Sequence, residues 1–278
     1  MNAQLPASVF IGIDGGGTQT RAIAIDETGD ILGRGTALGS NPNNNGFSEA
    51  AKNIVEAINN TGATLGVHAT ICLGIAGLAS PQVADRLRDE LLATLPSFAA
   101  TTLHLTHDLE IAHYAAFRDK PGIVLIAGTG SACFAKNSAG ESFRASGRNF
   151  PYEDPGSGYA IGKRAIDSKL LLAVESRPSI AALAPRVIEL ATHGDQEALD
   201  ILRLEAQHLA KLAKLVFDDY AQTESLPIVA VYGGLLTSES LYRDTALSEL
   251  HSAIPGIKVI DTTTSPAQAA AELAKSRS

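Results

Sequence analysis

The chain has 278 residues, 45% of them hydrophobic, which is enough to bury the cores of about two domains. Charged residues make up 19% and the net charge is −8, so no basic surplus exists to hold a nucleic-acid backbone or an anionic lipid surface. Apolar runs such as Ile123 to Ala127 and Ile228 to Val231 fall far short of the roughly 18 residues that cross a bilayer, and Met1 to Phe10 lacks the basic start and apolar stretch of a signal peptide. These features predict a cytoplasmic protein with no membrane or nucleic-acid partner.

Val9 to Asp14 is a short apolar run that ends in Gly15-Gly16-Gly17. Arg21 to Asp26 alternates into a Gly29-Asp30 turn, and Ile31 to Ala37 follows, so the chain opens with three strands joined by hairpin-type turns. Phe47, Ile54, Val55 and Ile58 carry helical spacing and predict a helix over Asn45 to Asn60 that ends near Gly62. Val67 to Ala76 reads as a buried strand, Pro81 to Leu95 as a helix opened by Ser80-Pro81, and Thr101 to Thr106 as a further strand before a helix that starts at or near Asp108.

The pattern then begins again. Gly122 to Ala127, Ala132 to Lys136 and Ser142 to Ser146 are strand-like, with glycines at the turns. Helices are expected at Gly158 to Val174 and Gln196 to Tyr220, a strand at Ile228 to Tyr232, a helix at Ser238 to Ser252, a strand at Ile257 to Ile260 and an alanine-rich helix from Pro266. The order βββαβαβα thus occurs twice, which predicts an α/β protein of two similar halves facing each other across an interdomain cleft. Asp119 to Gly122 is the expected junction between them.

Asp14-Gly15-Gly16-Gly17-Thr18 carries the strongest local chemistry. Glycines let backbone N–H groups close on an anion, hydroxyls add donors, and a carboxylate at a strand end can hold a hydrated divalent cation. Together they describe a cradle for Mg²⁺ and a polyphosphate. Gly128-Thr129-Gly130-Ser131 stands at the equivalent place of the second half, and two such turns outweigh the reading of either as a plain tight turn. No Gly-x-x-x-x-Gly-Lys-[Ser/Thr] occurs and no Gly-x-Gly-x-x-Gly opens a helix, so neither a P-loop nor a dinucleotide fold is indicated. Cys72 and Cys133 lie inside apolar runs without Cys-x-x-Cys spacing, as reduced, buried thiols do.

The Asp14 to Thr18 turn, Gly128 to Ser131, Asp154-Pro-Gly-Ser-Gly158 and Gly233-Gly234 occur in the order seen in N-acetylglucosamine kinases, and the whole chain resembles that family. The family belongs to the superfamily of sugar kinases, heat-shock chaperone ATPases and actin, so the resemblance implies two actin-like, ribonuclease H-like domains. Their expected extents are residues 1–118 with 266–278 on the sugar side, and 119–265 on the adenosine side. It further implies ATP as co-substrate and Mg²⁺ near Asp14. Gly15, Gly16, Gly17 and Thr18, with Thr129, Gly130 and Ser131, would hold phosphates, and Gly233 and Gly234 would lie against adenosine. Asp108 matches the catalytic carboxylate that accepts the proton of the attacking sugar hydroxyl, and Asn41 and Asp154 match residues that grip the sugar. The expected acceptor is the 6-hydroxyl of N-acetylglucosamine, with glucosamine, glucose or N-acetylmuramic acid as alternatives. Related kinases are often homodimers.

The family's usual Gly-Trp-Gly before Asp-Glu-Gly-Ser is replaced here by Gly147-Arg-Asn-Phe-Pro-Tyr-Glu-Asp154-Pro-Gly-Ser, a change expected to reshape the sugar pocket. Other members of the superfamily define two alternatives, a non-catalytic sugar sensor and an activator ATPase. The activators need cysteines at a subunit interface for an iron–sulfur cluster. Neither Cys72 nor Cys133 is expected to reach a surface.

Overall fold

A computed structural model describes residues 8–64, 69–78, 80–95, 101–145, 152–224 and 228–278. The expected strand residues Val67, His68 and Ser146, and the Gly147–Pro151 part of the departing loop, lie outside them. The chain divides into two compact units, one made of residues up to Arg118 together with Thr263–Ser278, the other of Asp119–Thr262.

In the first unit β1 (Phe10–Gly15), β2 (Gln19–Ile25) and β3 (Ile31–Leu38) form an antiparallel meander, and β4 (Thr70–Ile75) and β5 (Thr102–Thr106) extend it in parallel. The order across the sheet is β3-β2-β1-β4-β5. The second unit repeats it with β6 (Gly122–Ala127), β7 (Ser131–Lys136), β8 (Ser142–Ala145), β9 (Ile228–Tyr232) and β10 (Lys258–Asp261), in the order β10-β9-β6-β7-β8. In each sheet the first strand pairs antiparallel with the second and parallel with the fourth. This is the repeat that the sequence predicts.

β1 is covered on both faces, and its alternation sorts the packing. Ile11 and Ile13 join Ile54, Ile58, Leu87 and Leu91 from α2 (Phe47–Asn59) and α3 (Pro81–Thr94). Phe10 joins the opposite cluster, with Ile111 of α4 (Asp108–Phe117) and Ala267, Ala270, Ala271 and Ala274 of α11 (Pro266–Ser276). Gly12 shares that face. A Cβ there would stand 2.1 Å from both Ala267 O and Ala271 N, so only glycine lets this helix lie on the strand.

Three helix expectations change. The one over Asn45 to Asn60 splits at Gly46, whose φ is +78°, into α1 (Pro42–Asn45) and α2. The stretch Gly158 to Val174 is helical only as α5 (Gly158–Asp167): Lys169 takes φ +63° and the Leu171 N–H turns back to Ala165 O at 3.0 Å. Two further helices follow, α6 (Arg177–Ala181), capped by Ser176, and α7 (Ala184–Thr192). The helix expected from Ser238 begins later, as α10 (Leu241–Ala253), because the Ser240 hydroxyl accepts the Arg243 N–H and sets its first turn, while Gly234–Thr237 forms a separate short α9. α8 (Gln196–Tyr220) spans its expected range and α11 starts at Pro266 as expected.

Candidate active site

The two units each carry part of the expected site. In the first, the turn after β1 is closed by Gly16 N–H donating to Gln19 O (3.0 Å). Gly16 O in turn accepts the N–H groups of Ser40 (3.0 Å) and Asn41 (3.2 Å), so the segment that follows β3 is stitched to the turn. This brings Asn41 beside Gly15–Thr18. Thr18 is exposed, whereas Thr20 points inward, donating its hydroxyl to Leu38 O (2.7 Å) and sharing a hydrogen bond with Ser40 Oγ (2.8 Å). Of the turn's two hydroxyls, strand alternation therefore leaves only Thr18 facing solvent. Asn41 spends its Oδ1 on the N–H of Asn43 (2.9 Å), capping α1, and Asn43 Nδ2 donates to Gly77 O (3.3 Å) at the end of the β4 turn.

Asp14 lies on the same face of β1 as Phe10 and Gly12, the face that α4 and α11 cover. Since α4 begins at Asp108, this alternation directs the two carboxylates to one end of the sheet. Burial pushes Asp14 up to about 6 from an ordinary value of 3.8; Arg21, paired with it across the β1–β2 register at 3.8 Å, pulls it down, and the charge of Asp108 raises it further. Only 20% of the Asp14 side chain remains exposed.

α4 begins at Asp108, where the sequence expects a helix start. His107 is the N-cap: its Nδ1 accepts the Glu110 N–H at 3.2 Å. Asp108 occupies the first turn, with Oδ1 accepting the Leu109 N–H (3.1 Å). A carboxylate at that position stands at the N-terminal end of the helix, on the side where its free backbone N–H groups lie.

In the second unit Gly128 N–H donates to Gly130 O (2.8 Å) and closes the turn between β6 and β7. The segment before α5 is bound to it. Gly158 N–H donates to Gly128 O (2.8 Å), Tyr159 N–H to Thr129 O (3.2 Å) and the Ser131 hydroxyl to Pro155 O (2.8 Å). Asp154 stands against the Gly130 backbone, close enough that a Cβ on Gly130 would meet its Oδ2 at 2.7 Å. Burial raises Asp154 above its ordinary value, and Arg177 opposes that shift. Gly233, at the end of β9, lies beside Ala127 at the end of β6, and Gly234 opens α9 with empty space where a side chain would be.

The first unit thus gathers Asp14, Gly15, Gly16, Gly17, Thr18, Asn41 and Asp108, and the second gathers Thr129, Gly130, Ser131, Asp154, Gly233 and Gly234. Sequence reasoning missed Arg177. It forms an ion pair with Asp154, a second with Glu153 at 2.9 Å, and stacks over the Tyr159 ring at 4.1 Å. Ser176-Arg-Pro178 was a legible helix start that would have drawn attention to it.

A Mg²⁺ ion usually keeps several waters and takes one or two carboxylates plus substrate phosphates. Asp14 offers one desolvated carboxylate of this kind, next to the Gly15–Thr18 turn. Both cysteines are fully buried on β4 and β7, and burial pushes the Cys72 thiol up to about 11 and Cys133 higher still, so neither is poised to ligate a surface cluster.

A family model described as the BadF/BadG/BcrA/BcrD ATPase family matches residues 11–274. An N-acetyl-D-glucosamine kinase of Dictyostelium discoideum is 28% identical over 322 aligned positions, covering 96% of this chain and 97% of its own. An N-acetylmuramic acid/N-acetylglucosamine kinase of Clostridium acetobutylicum is 26% identical, with 96% and 98% covered. Among solved structures, a Chromobacterium violaceum protein described as a candidate N-acetylglucosamine kinase superposes with a TM-score of 0.73 at 22% identity, over 96% of this chain and 98% of that one, which is a likeness of fold.

Proposed function

Because this chain belongs to the BadF/BadG/BcrA/BcrD ATPase family, we propose that it is a kinase that transfers the γ-phosphoryl group of ATP to an amino sugar, at the 6-hydroxyl of N-acetylglucosamine. One observation carries the reading. Asp14 and Asp108 share one end of the first sheet, where one carboxylate is desolvated and the other stands at a helix start, each within the other's field. Phosphoryl transfer asks for two such groups with separate tasks: one to meet the metal that accompanies the phosphates, one to receive a proton. The names of the curated relatives point to the same substrate class.

Asp108 accepts the proton of the sugar hydroxyl as its oxygen attacks in line, and Asn41 and Asp154 orient the ring through its other hydroxyls. The amides and hydroxyls of Gly15–Thr18 and Thr129–Ser131 hold the phosphate oxygens, where N–H donors offset the charge that spreads over them. Gly234, with open space where a side chain would be, leaves room for the flat face of adenine, and Gly233 packs the turn closely against Ala127. Asp14 would hold Mg²⁺, which supplies charge neutralisation at the β- and γ-phosphates. Arg177 pairs with Asp154 and opposes the upward shift that burial imposes on its carboxyl.

The test is a coupled ADP-release assay over N-acetylglucosamine, N-acetylmuramic acid, glucosamine and glucose, run on the wild-type protein and on Asp108→Asn. N-acetylglucosamine is expected to give the highest kcat/KM. Asp108→Asn should bind it as before while kcat falls by about 10² or more, the usual contribution of a positioned base. Near-normal turnover in that variant would remove Asp108 from the chemistry, and ADP release that ignores every sugar would remove the kinase reading.

A further inference from the structure

The interior of the second unit contains a charged group that none of these roles uses. Glu205 lies midway along α8 with 1% of its side chain exposed, on a face otherwise formed by Ile201, Leu202, Ala206, Leu209 and Leu212. An apolar side chain would satisfy that face at no electrostatic cost, whereas a carboxylate there must replace its lost hydration with donors.

Its donors come from three elements. Glu205 Oε2 accepts the N–H of Gly156 (2.9 Å); Oε1 accepts Arg164 Nε (2.9 Å) of α5 and lies 3.4 Å from His208 Nδ1, one turn along α8. Arg164 Nη2 approaches the same oxygen at 2.8 Å, and its guanidinium also covers the Tyr152 ring at 4.9 Å. Burial alone would raise Glu205, but His208, the Gly156 N–H and Arg164 outweigh it and hold the carboxyl below its ordinary range. Gly156 is held from the other side as well, because the buried Tyr242 hydroxyl of α10 donates to its carbonyl at 2.6 Å. The residue has φ +76°, and a Cβ would meet Leu209 Cβ at 2.4 Å, so it is fixed in a conformation and a space that only glycine fits.

The consequence reaches the glycine turn through short covalent and hydrogen-bonded links. Pro155, next to Gly156, receives the Ser131 hydroxyl, and Gly158 and Tyr159, just beyond it, donate to Gly128 and Thr129. Arg164 belongs to the helix that these amides begin. Clamping Gly156 and Arg164 to α8 therefore fixes the height and orientation of the whole Gly128–Ser131 turn. We propose that Glu205 is a positioning residue that, with Tyr242, presets the Gly128–Ser131 turn to receive the phosphates of the nucleotide. This rests on the reading of that turn as a phosphate holder.

The experiment compares Glu205→Gln, Tyr242→Phe and Thr129→Val for ATP KM, kcat, sugar dissociation constant and melting temperature. Gln keeps the shape of Glu205 but offers only one acceptor oxygen, so Gly156 or Arg164 loses its partner. Glu205→Gln is expected to raise ATP KM about tenfold or more and to weaken sugar binding by a much smaller factor, because Asp154, whose carbonyl accepts the Ser157 N–H, alone of the proposed sugar residues adjoins the displaced segment. Tyr242→Phe, which removes a single oxygen, should raise ATP KM less, about threefold, with the same split. An unchanged ATP KM in a folded Glu205→Gln overturns the proposal, and so does an equal loss of ATP and sugar affinity with a lowered melting temperature, the mark of a merely structural role. If Glu205→Gln does not fold, the split or its absence in Tyr242→Phe decides. Thr129→Val tests the underlying reading separately: ATP KM raised there but not in Glu205→Gln sinks the positioning role alone, and neither raised sinks both.

Discussion

At the scale of single residues, Asp14 shows a site placed at some cost to the fold. Its carboxyl is pushed up to about 6 by burial, so between pH 4 and 6 the folded protein holds a proton that the unfolded chain has released. Stability from this group is therefore greatest below about pH 4, falls as pH rises to about 6, and is flat above. Asp14→Asn removes the buried charge while keeping the size of the side chain. The variant is expected to melt at a higher temperature than wild type at pH 8, by up to about 3 kcal/mol in stability, with the difference vanishing near pH 4. Phosphoryl transfer should be lost in the same variant, and Mg-ATP should stabilise wild type more than Asp14→Asn. Calorimetric melting at the two pH values checks this; a variant less stable than wild type at pH 8 would show that the pair with Arg21 outweighs desolvation.

At the scale of elements, the first strand of each sheet is the axis of its unit, since it pairs on both sides and its end carries the glycine turn. β1 depends on α11, which arrives from the far end of the chain. Gly12→Ala should force that helix outward from the strand, because the obstructing atoms, Ala267 O and Ala271 N, are backbone and cannot rotate away. Overpacking of this kind costs about 1–3 kcal/mol or more. The expected result is a lower urea midpoint with an unchanged slope, together with reduced activity, because Asp14 is two residues along the same strand. An unaltered midpoint would mean that α11 does not press on β1 as closely as the geometry requires.

At the scale of the whole molecule, the residues proposed for the sugar are divided between the units: Asn41 and Asp108 belong to the first, Asp154 to the second together with Thr129–Ser131. Acceptor and donor must bind one common state for transfer to occur. Sugar should therefore tighten ATP, and ATP should tighten sugar by the same factor, since coupling between two ligands is reciprocal. Titration calorimetry with a non-hydrolysable ATP analogue, with and without saturating sugar, measures both factors. Binding of each ligand that ignores the other would show that the two sites operate without a shared conformational change. Among the described residues no helix is long and apolar enough to cross a membrane.

Much of this protein is readable from the chain alone because it depends on neighbours a few positions away. The doubled strand pattern, the glycine turns after Asp14 and Ala127, and the Ser-Pro starts of α3 and α11 are local chemistry, and the sequence determines them directly. Where local signals are incomplete the reading slips, as at Lys169, whose left-handed conformation ends α5 although no glycine announces it. The tertiary structure decided the rest. Asp154 finds Arg177, Gly156 finds Glu205 and Tyr242, and Gly12 finds Ala267 and Ala271, each partner lying on a different element. The protonation of Asp14 likewise follows from what buries it and from Asp108 on another element. Burial and electrostatic fields are sums over the packed molecule, and no window of sequence contains those sums.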